Sequence, residues 1–377
     1  QKIIPQGWLD EYLKRDINGF VGFLDQLCEE AATDIFGNNK IKHKGNEKKS
    51  WWDGETKGNW LDGMVRSAFL LSNQESIKKC KVNVEHILEV ADKDKNKGYI
   101  GVYGPKLRYG KEADGELWCQ SRIFLFMLAY YRYTGCKKIL QAVIKAADIT
   151  IANINKENLF RDNTGGYGHD LMIIEAMLWL YEITEKQKYK EFSILCYREY
   201  SNSEIPYTTF GDCKYDNIMN QNLSFSGHGP HVCEHMRILL LLYKVTGKQK
   251  YFQAWEKAVE KLKKHLMPSG ICKSDEDIVN RKKSENTGIP LLTAGYEYCA
   301  ITELYITLNA ALKITGNTKY GDWAEKILYN SAQASRKSDG KAISYLGCEN
   351  RLSASKKRGR RWKYSPVHSD VAVCCVP

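Results

Sequence analysis

Four times along the chain an apolar helical run ends in a threonine and a tight turn, and a Lys/Tyr-rich segment opens the next helix: YYRYTGCKKIL (130–140), LYEITEKQKYKEF (180–192), LYKVTGKQKYFQAW (242–255) and ALKITGNTKYGDWAEK (311–326). Each copy reads as an αα-hairpin. Glycine supplies the left-handed helix C-cap, and apolar residues at i, i+3, i+4 and i+7 on both sides bury one stripe per helix. The threonines stand at 134, 184, 246 and 315, spacings of 50, 62 and 69 residues, so the loops between helix pairs lengthen towards the C-terminus. Long loops on a repeated scaffold carry function. A weaker copy, LDGMVRSAFLLSNQESIKKC (61–80), turns at Ser72-Asn73. With an N-terminal helix over Trp8 to Glu30, the copies predict roughly ten to twelve helices, an all-α chain whose helix pairs close into an α/α toroid or stack in an open solenoid.

The helical pattern stops near Ser335. Asp339-Gly340 reads as a turn, KAISYLG (341–347) as a short strand and WKYSPVHSDVAVCC as extended backbone, giving a barrel over 1–336 and a strand-rich segment over 337–377. The apolar runs Ile123 to Tyr131 and Ile238 to Tyr243 fall short of the roughly 18 residues of a membrane helix, so no span is expected. A net charge of +11 favours an anionic partner. Most lysines alternate with acidic residues on helix faces, which weighs against nucleic acid, and only Lys356 to Lys363 (KKRGRRWK) is a true basic cluster. The start at Gln1 suggests a removed leader or a sequence that begins inside its gene.

Twelve cysteines in 377 residues show no disulfide-framework spacing. Cys119, Cys136, Cys196 and Cys233, in or beside apolar helical runs, are expected as buried thiols. Cys374 and Cys375 differ, because adjacent thiols bridge each other poorly and invite a metal. Glu297 and Cys299 open another apolar helix, where the positive dipole end favours carboxylate and thiolate. Glu297, Cys299, Cys374 and Cys375 make a one-oxygen, three-sulfur set within the range of tetrahedral zinc, with buried thiols as the alternative.

GICKSDED (270–277), GYEYCAITELYITLNAALKITGNTKYGDWAEKILYN (295–330), the strand with Tyr345 and VAVCCVP (371–377) resemble, in order and approximate spacing, the β-L-arabinofuranosidases of glycoside hydrolase family 127. GNWLDGMVRSAFLLS (58–72), ELWCQSRIFLFMLAYYRYTG (116–135) and YGHDLMIIEAMLWLYEIT (167–184) are similar to the same family. The resemblance implies an (α/α)6 barrel with zinc on Glu297, Cys299, Cys374 and Cys375, and Cys374 as nucleophile. Glu276 falls where the family places its acid/base. Its separation from Glu297, 21 residues, is longer than in well-known members and leaves Glu285 as a competitor. The resemblance further implies His169 and Tyr345 as sugar contacts.

His228 and His231, in SGHGPHVCEH, start the next repeat's helix and are candidate sugar contacts, with helix capping as the alternative; His235 is expected to be packed. Trp60, with Trp51 and Trp52 beside a Gly-rich stretch, suits stacking on a sugar or filling the core. Arg122 replaces a family histidine and suits a substrate carboxylate, as does the basic 356–363 loop for a pectin-like polyanion. The family continues into a last helix and a β-sandwich, absent here, which suggests truncation. The expected function is retaining hydrolysis of β-L-arabinofuranosyl or a related sugar, acidic or neutral, on plant cell-wall glycan, in a bacterial periplasm or at the cell surface. A metal-free unsaturated-uronyl hydrolase, a polysaccharide lyase and a non-catalytic carbohydrate-binding solenoid are the competing readings.

Overall fold

The structure is a computed structural model that describes residues 3–37, 51–93, 95–110, 113–154, 159–160, 168–279, 295–349 and 363–365. The chain divides into two compact units, one of residues 1–180 with 338–342 and 366–377, the other of 181–337 with 343–365. None of the described helices is long and apolar enough to cross a membrane.

In the first unit the N-terminal segment is broken where one helix was expected, into α1 (Gly7–Ile17), α2 (Phe20–Leu27) and α3 (Glu29–Ala32). The break is tertiary in origin. Gly340 comes against Gly19, its carbonyl accepts the Phe20 N–H at 2.6 Å, and a side chain at Gly19 would run into the Gly340 backbone. Long hairpins follow: α4 (Trp51–Leu71) with α5 (Gln74–Asp92), then α6 (Glu116–Thr134) with α7 (Lys137–Asn153). A 3-10 turn, His169–Met172, leads into α8 (Ile173–Thr184).

The Gly-rich stretch after Trp51 lies inside α4. Glycine costs a helix about 1 kcal/mol relative to alanine, and it is used here for close approach to α6. A Cβ at Gly54 would strike the Cys119 and Val102 side chains, and one at Gly58 the Arg122 Cβ. Every residue of α6 from Glu116 to Tyr130 is buried, as a helix enclosed on all sides requires.

The segment between α5 and α6 is tied down by a buried carboxylate. Glu116 accepts from the Tyr99 hydroxyl at 2.6 Å and from the Tyr109 N–H at 2.5 Å, while the Arg108 guanidinium lies 3.8 Å over the Tyr99 ring. Burial raises Glu116 to about 7, against the smaller opposing effects of Tyr99, Tyr109 and Arg108. A carboxyl that binds its proton more tightly folded than unfolded stabilises below its unfolded value, and that stabilisation is lost as pH rises through the folded one. Between pH 4.5 and 7 this group should therefore remove on the order of 3 kcal/mol, and Glu116→Gln should flatten the corresponding slope of a denaturant-melt series.

The second unit holds α9 (Gln187–Asn202), α10 (Tyr215–Met219), the hairpin α11 (Gly229–Thr246) with α12 (Gln249–Lys263), and α13 (Tyr298–Thr315) with α14 (Lys319–Ile327). Arg237 of α11 joins α13 through Glu303 Oε2 at 3.0 Å and Thr307 Oγ1 at 2.9 Å. Excluding the short α3 and α10, twelve of the fourteen described α-helices run eight residues or more. Two small ladders complete the unit: β1 (Tyr296–Glu297) pairs antiparallel with β3 (Leu346–Gly347), and β2 (Ile343–Ser344) with β4 (Tyr364–Ser365).

The repeated turn has one chemistry. Residues Ser72, Gly135, Glu185, Gly247 and Gly316 all sit at φ between 55° and 70°. At the three glycine turns and at Glu185 the threonine hydroxyl accepts the N–H two residues on, as Thr246 does from Lys248 at 3.2 Å. This turn also corrects one cysteine. Cys136 follows Gly135 directly as the α7 N-cap and is exposed, whereas Cys119, Cys196 and Cys233 are buried.

Candidate active site

The junction of β1 and α13 fixes the first group. Glu297 ends the strand in an extended conformation (φ −85°, ψ 145°) as the α13 N-cap, and its side chain is 0% exposed. Cys299, two residues on in the first helical turn, is also buried. The ladder register sets Glu297 opposite Leu346, one residue from Tyr345, and the Tyr345 carbonyl accepts the Tyr298 N–H at 2.9 Å. One of the orphan donors at the start of α13 is thereby used to hold the Tyr345 backbone.

From that position the Tyr345 hydroxyl stands 2.5 Å from Glu297 Oε1 and 2.9 Å from Glu276 Oε1. A phenol has one proton and donates to one carboxylate at a time. Both contacts are satisfied together when one of the two carboxyls carries a proton and donates it to the phenol oxygen. Ser274 donates to the other oxygen, Glu297 Oε2. Glu297 thus has hydroxyl partners on both oxygens and no exposure, while Glu276 is partly exposed and is the carboxyl placed to exchange a proton with a bound molecule.

Glu276 has φ +68°, a left-handed conformation that is costly for a side-chain-bearing residue and is found where surrounding structure enforces it. The enforcement comes from the start of α11. Its carbonyl accepts from the Gly229 N–H at 3.2 Å and from the His228 ring Nδ1. Just after Glu276, His228 bridges Asp277 and the Ile278 N–H reaches Gly227 O at 2.8 Å. Gly229 is needed for close approach, because a Cβ there would meet the Ser274 side chain.

Further along α11 the imidazoles of His228, His231 and His235 follow one another, His228 edge-on to His231 at 4.9 Å and His231 stacked on His235 at 5.4 Å. Glu234 Oε1 lies 3.5 Å from His235 Nε2 and 4.0 Å from His231 Nε2. His235 is packed, with the Tyr200 ring edge-on to it at 5.5 Å.

In the first unit the histidine of GYGHD, His169, stacks on Trp118 at 4.6 Å. Arg122 lies over the same indole at 4.2 Å and pairs with Glu175 at 3.4 Å, its side chain 5% exposed. Its charge is already matched within the protein, which argues against a free carboxylate receptor. Trp60 is 1% exposed and spends its indole N–H on the Val21 carbonyl at 2.6 Å, so it fills the core rather than offering a face to a sugar. Cys374, Cys375, Glu285, residues 356–362 of the basic cluster and the side chains of Trp51 and Trp52 lie outside the described residues.

Ser274 is the site residue that the sequence left without a role. It stands two positions before Glu276 in the SDE stretch, and the only signal was the motif itself. Three side chains of this unit form a donor set for a cation. His228, Glu276 and Glu297 each offer an atom within 4.8 Å of the others. Glu297 and Cys299 stand two residues apart at one strand–helix junction and both are buried, and carboxylate oxygen and thiolate sulfur are donor types that zinc takes.

Over residues 21–377 the sequence matches the family described as Beta-L-arabinofuranosidase, GH127 catalytic domain. The chain belongs to that family. A GH127 beta-arabinofuranosidase superposes with TM-score 0.69 at 16% identity, over 92% of this chain and 55% of that one. A GH127 beta-L-arabinofuranosidase from Geobacillus stearothermophilus T6 does so with TM-score 0.61 at 18% identity, over 90% and 55%. A sugar epimerase from a ruminal bacterium matches end to end, 97% of each chain, with TM-score 0.57 and 14% identity. These likenesses establish the fold of this GH127 domain as the all-α (α/α)6 toroid. The chain spans about half the length of the GH127 structures it matches. No curated protein matches it.

Proposed function

We propose that this GH127 domain catalyses retaining hydrolysis of terminal β-L-arabinofuranosyl groups on plant cell-wall oligosaccharides, with Cys374 as nucleophile and Glu276 as acid/base. The observation that carries the reading is the Tyr345 phenol within hydrogen-bond distance of both Glu276 and Glu297, an arrangement that retains one exchangeable proton beside a half-open carboxyl.

Retaining cleavage needs a nucleophile on one face of the anomeric carbon and an acid on the other, usually two carboxylates about 5 Å apart. Glu276 and Glu297 approach that closely, which makes Glu297 the first competitor for the nucleophile. Its complete burial and its two hydroxyl partners argue against it, since an attacking oxygen must be bare and reachable. That supports a nucleophile from elsewhere in the chain. In the step we propose, the Cys374 thiolate forms a C–S bond to the anomeric carbon while Glu276 gives its proton to the departing oxygen. Glu276 then takes a proton from water, the new C–O bond replaces C–S, and the thiolate is released. Zinc, when bound by Glu297, Cys299, Cys374 and Cys375, would keep the cysteine sulfur ionised at neutral pH.

The pairing of Arg122 with Glu175 favours a neutral furanose over an acidic sugar. A substrate panel separates this reading from an unsaturated-uronyl hydrolase on the same toroid. An aryl β-L-arabinofuranoside should release phenol, an unsaturated uronide should not, and turnover of the uronide in excess chelator would establish the competing enzyme.

A further inference from the structure

We infer that His228 is a positioning residue for the acid/base, acting through the main chain of Glu276 rather than through the sugar; the inference rests on the proposed role of Glu276. A carbonyl oxygen cannot donate, so the short contact from His228 Nδ1 to the Glu276 carbonyl requires the imidazole to carry its proton on Nδ1. That same carbonyl takes the Gly229 N–H at 3.2 Å. Two donors from the first residues of α11 therefore converge on one peptide group, that of the residue held at φ +68°. A left-handed glutamate relaxes towards ordinary backbone geometry unless it is held.

The consequence is geometric. In this backbone conformation the carboxyl of Glu276 meets the Tyr345 hydroxyl at 2.9 Å, and a change in φ would redirect the side chain relative to the phenol. Nδ1 of His228 also lies 3.8 Å from Glu297 Oε1, so the same ring edge faces both carboxyl-bearing residues. The ring is partly open, its side chain 19% exposed, and a contact of Nε2 with sugar is the alternative role that the test must separate.

Asparagine places an amide N–H close to where Nδ1 stood, and glutamine places one close to Nε2. Activated leaving groups provide the second axis, because a dinitrophenol needs little protonation to depart and a simple alcohol needs much. The intact protein is assayed as kcat/KM with a dinitrophenyl and a methyl β-L-arabinofuranoside. His228→Ala should cost about 10²-fold on the methyl glycoside, the scale of a misplaced catalytic group, and under about 5-fold on the dinitrophenyl one. His228→Asn should recover most of the methyl glycoside activity and His228→Gln little. Equal losses on both substrates, or recovery by glutamine and not asparagine, would overturn the inference.

Glu276→Gln, measured beside them, keeps the two claims apart. It should show the same leaving-group selectivity with a larger loss, about 10³-fold. If it shows that selectivity and His228→Ala does not, positioning by His228 is wrong and the acid/base stands. If Glu276→Gln itself loses nothing selectively, the proposed function fails. Melting temperatures of all four variants within a few degrees of the parent confirm that folding is preserved; should His228→Ala unfold, the asparagine and glutamine pair decides alone.

Discussion

Replacing Cys374 with serine should lower kcat/KM on an aryl β-L-arabinofuranoside by at least about 10⁴-fold, the scale on which loss of an essential nucleophile is felt. Serine keeps the size and loses the chemistry. Its hydroxyl is not ionised near neutrality, and the activated leaving group cannot compensate, because the missing partner is the attacking atom and not the acid. The two halves of the mechanism thus fail differently. Glu276→Gln is spared by a good leaving group, and Cys374→Ser is not. Undiminished turnover of the serine variant would move the nucleophile elsewhere, with Glu297 next in line despite its burial.

Metal removal is expected to be nearly as costly. An ordinary cysteine near pH 7 is only a few per cent thiolate, so loss of a cation that keeps it ionised removes more than an order of magnitude before any misplacement is counted. Misplacement adds to that, because a reacting atom shifted by about 1 Å costs about 10²-fold. Dialysis against a strong chelator should therefore lower activity by about 10³-fold or more, and stoichiometric zinc should restore it. The effect should reach the fold as well. Glu297 is completely buried at the head of α13, and separating a buried charge from its partner costs about 3–5 kcal/mol. The chelated protein should melt at a lower temperature, and Glu297→Gln should melt closer to its own chelated form.

Much of this was written locally in the chain. The Thr-Gly turns are visible because the left-handed cap, the threonine hydroxyl and the helix it ends lie within a few residues. They read through even at Glu185, where the glycine is missing and the turn persists at φ 56°. The residues Glu276, Glu297 and Tyr345 were individually legible as a family pattern, and the structure adds that one phenol joins them. What stayed hidden depends on partners far away in sequence. Nothing near Gly19 announces that Gly340 will dock against it and split the first helix. Nothing near Trp60 distinguishes an indole facing a sugar from one bonded to the Val21 carbonyl, because both fates suit the same side chain. His228 is ambiguous for the same reason. An imidazole at a helix start is equally suited to a ligand and to a carbonyl 48 residues away.

The central claim is that Glu297 and Cys299 share one cation with Cys374 and Cys375. Diffraction from crystals of the protein at wavelengths on either side of the zinc absorption edge tests it most directly. A single anomalous peak present only above the edge, bounded by the Glu297 carboxylate and three cysteine sulfurs, is the expected result. No peak there in crystals grown with zinc, or a peak held by His228, Glu276 and Glu297 with the terminal thiols remote, would contradict it.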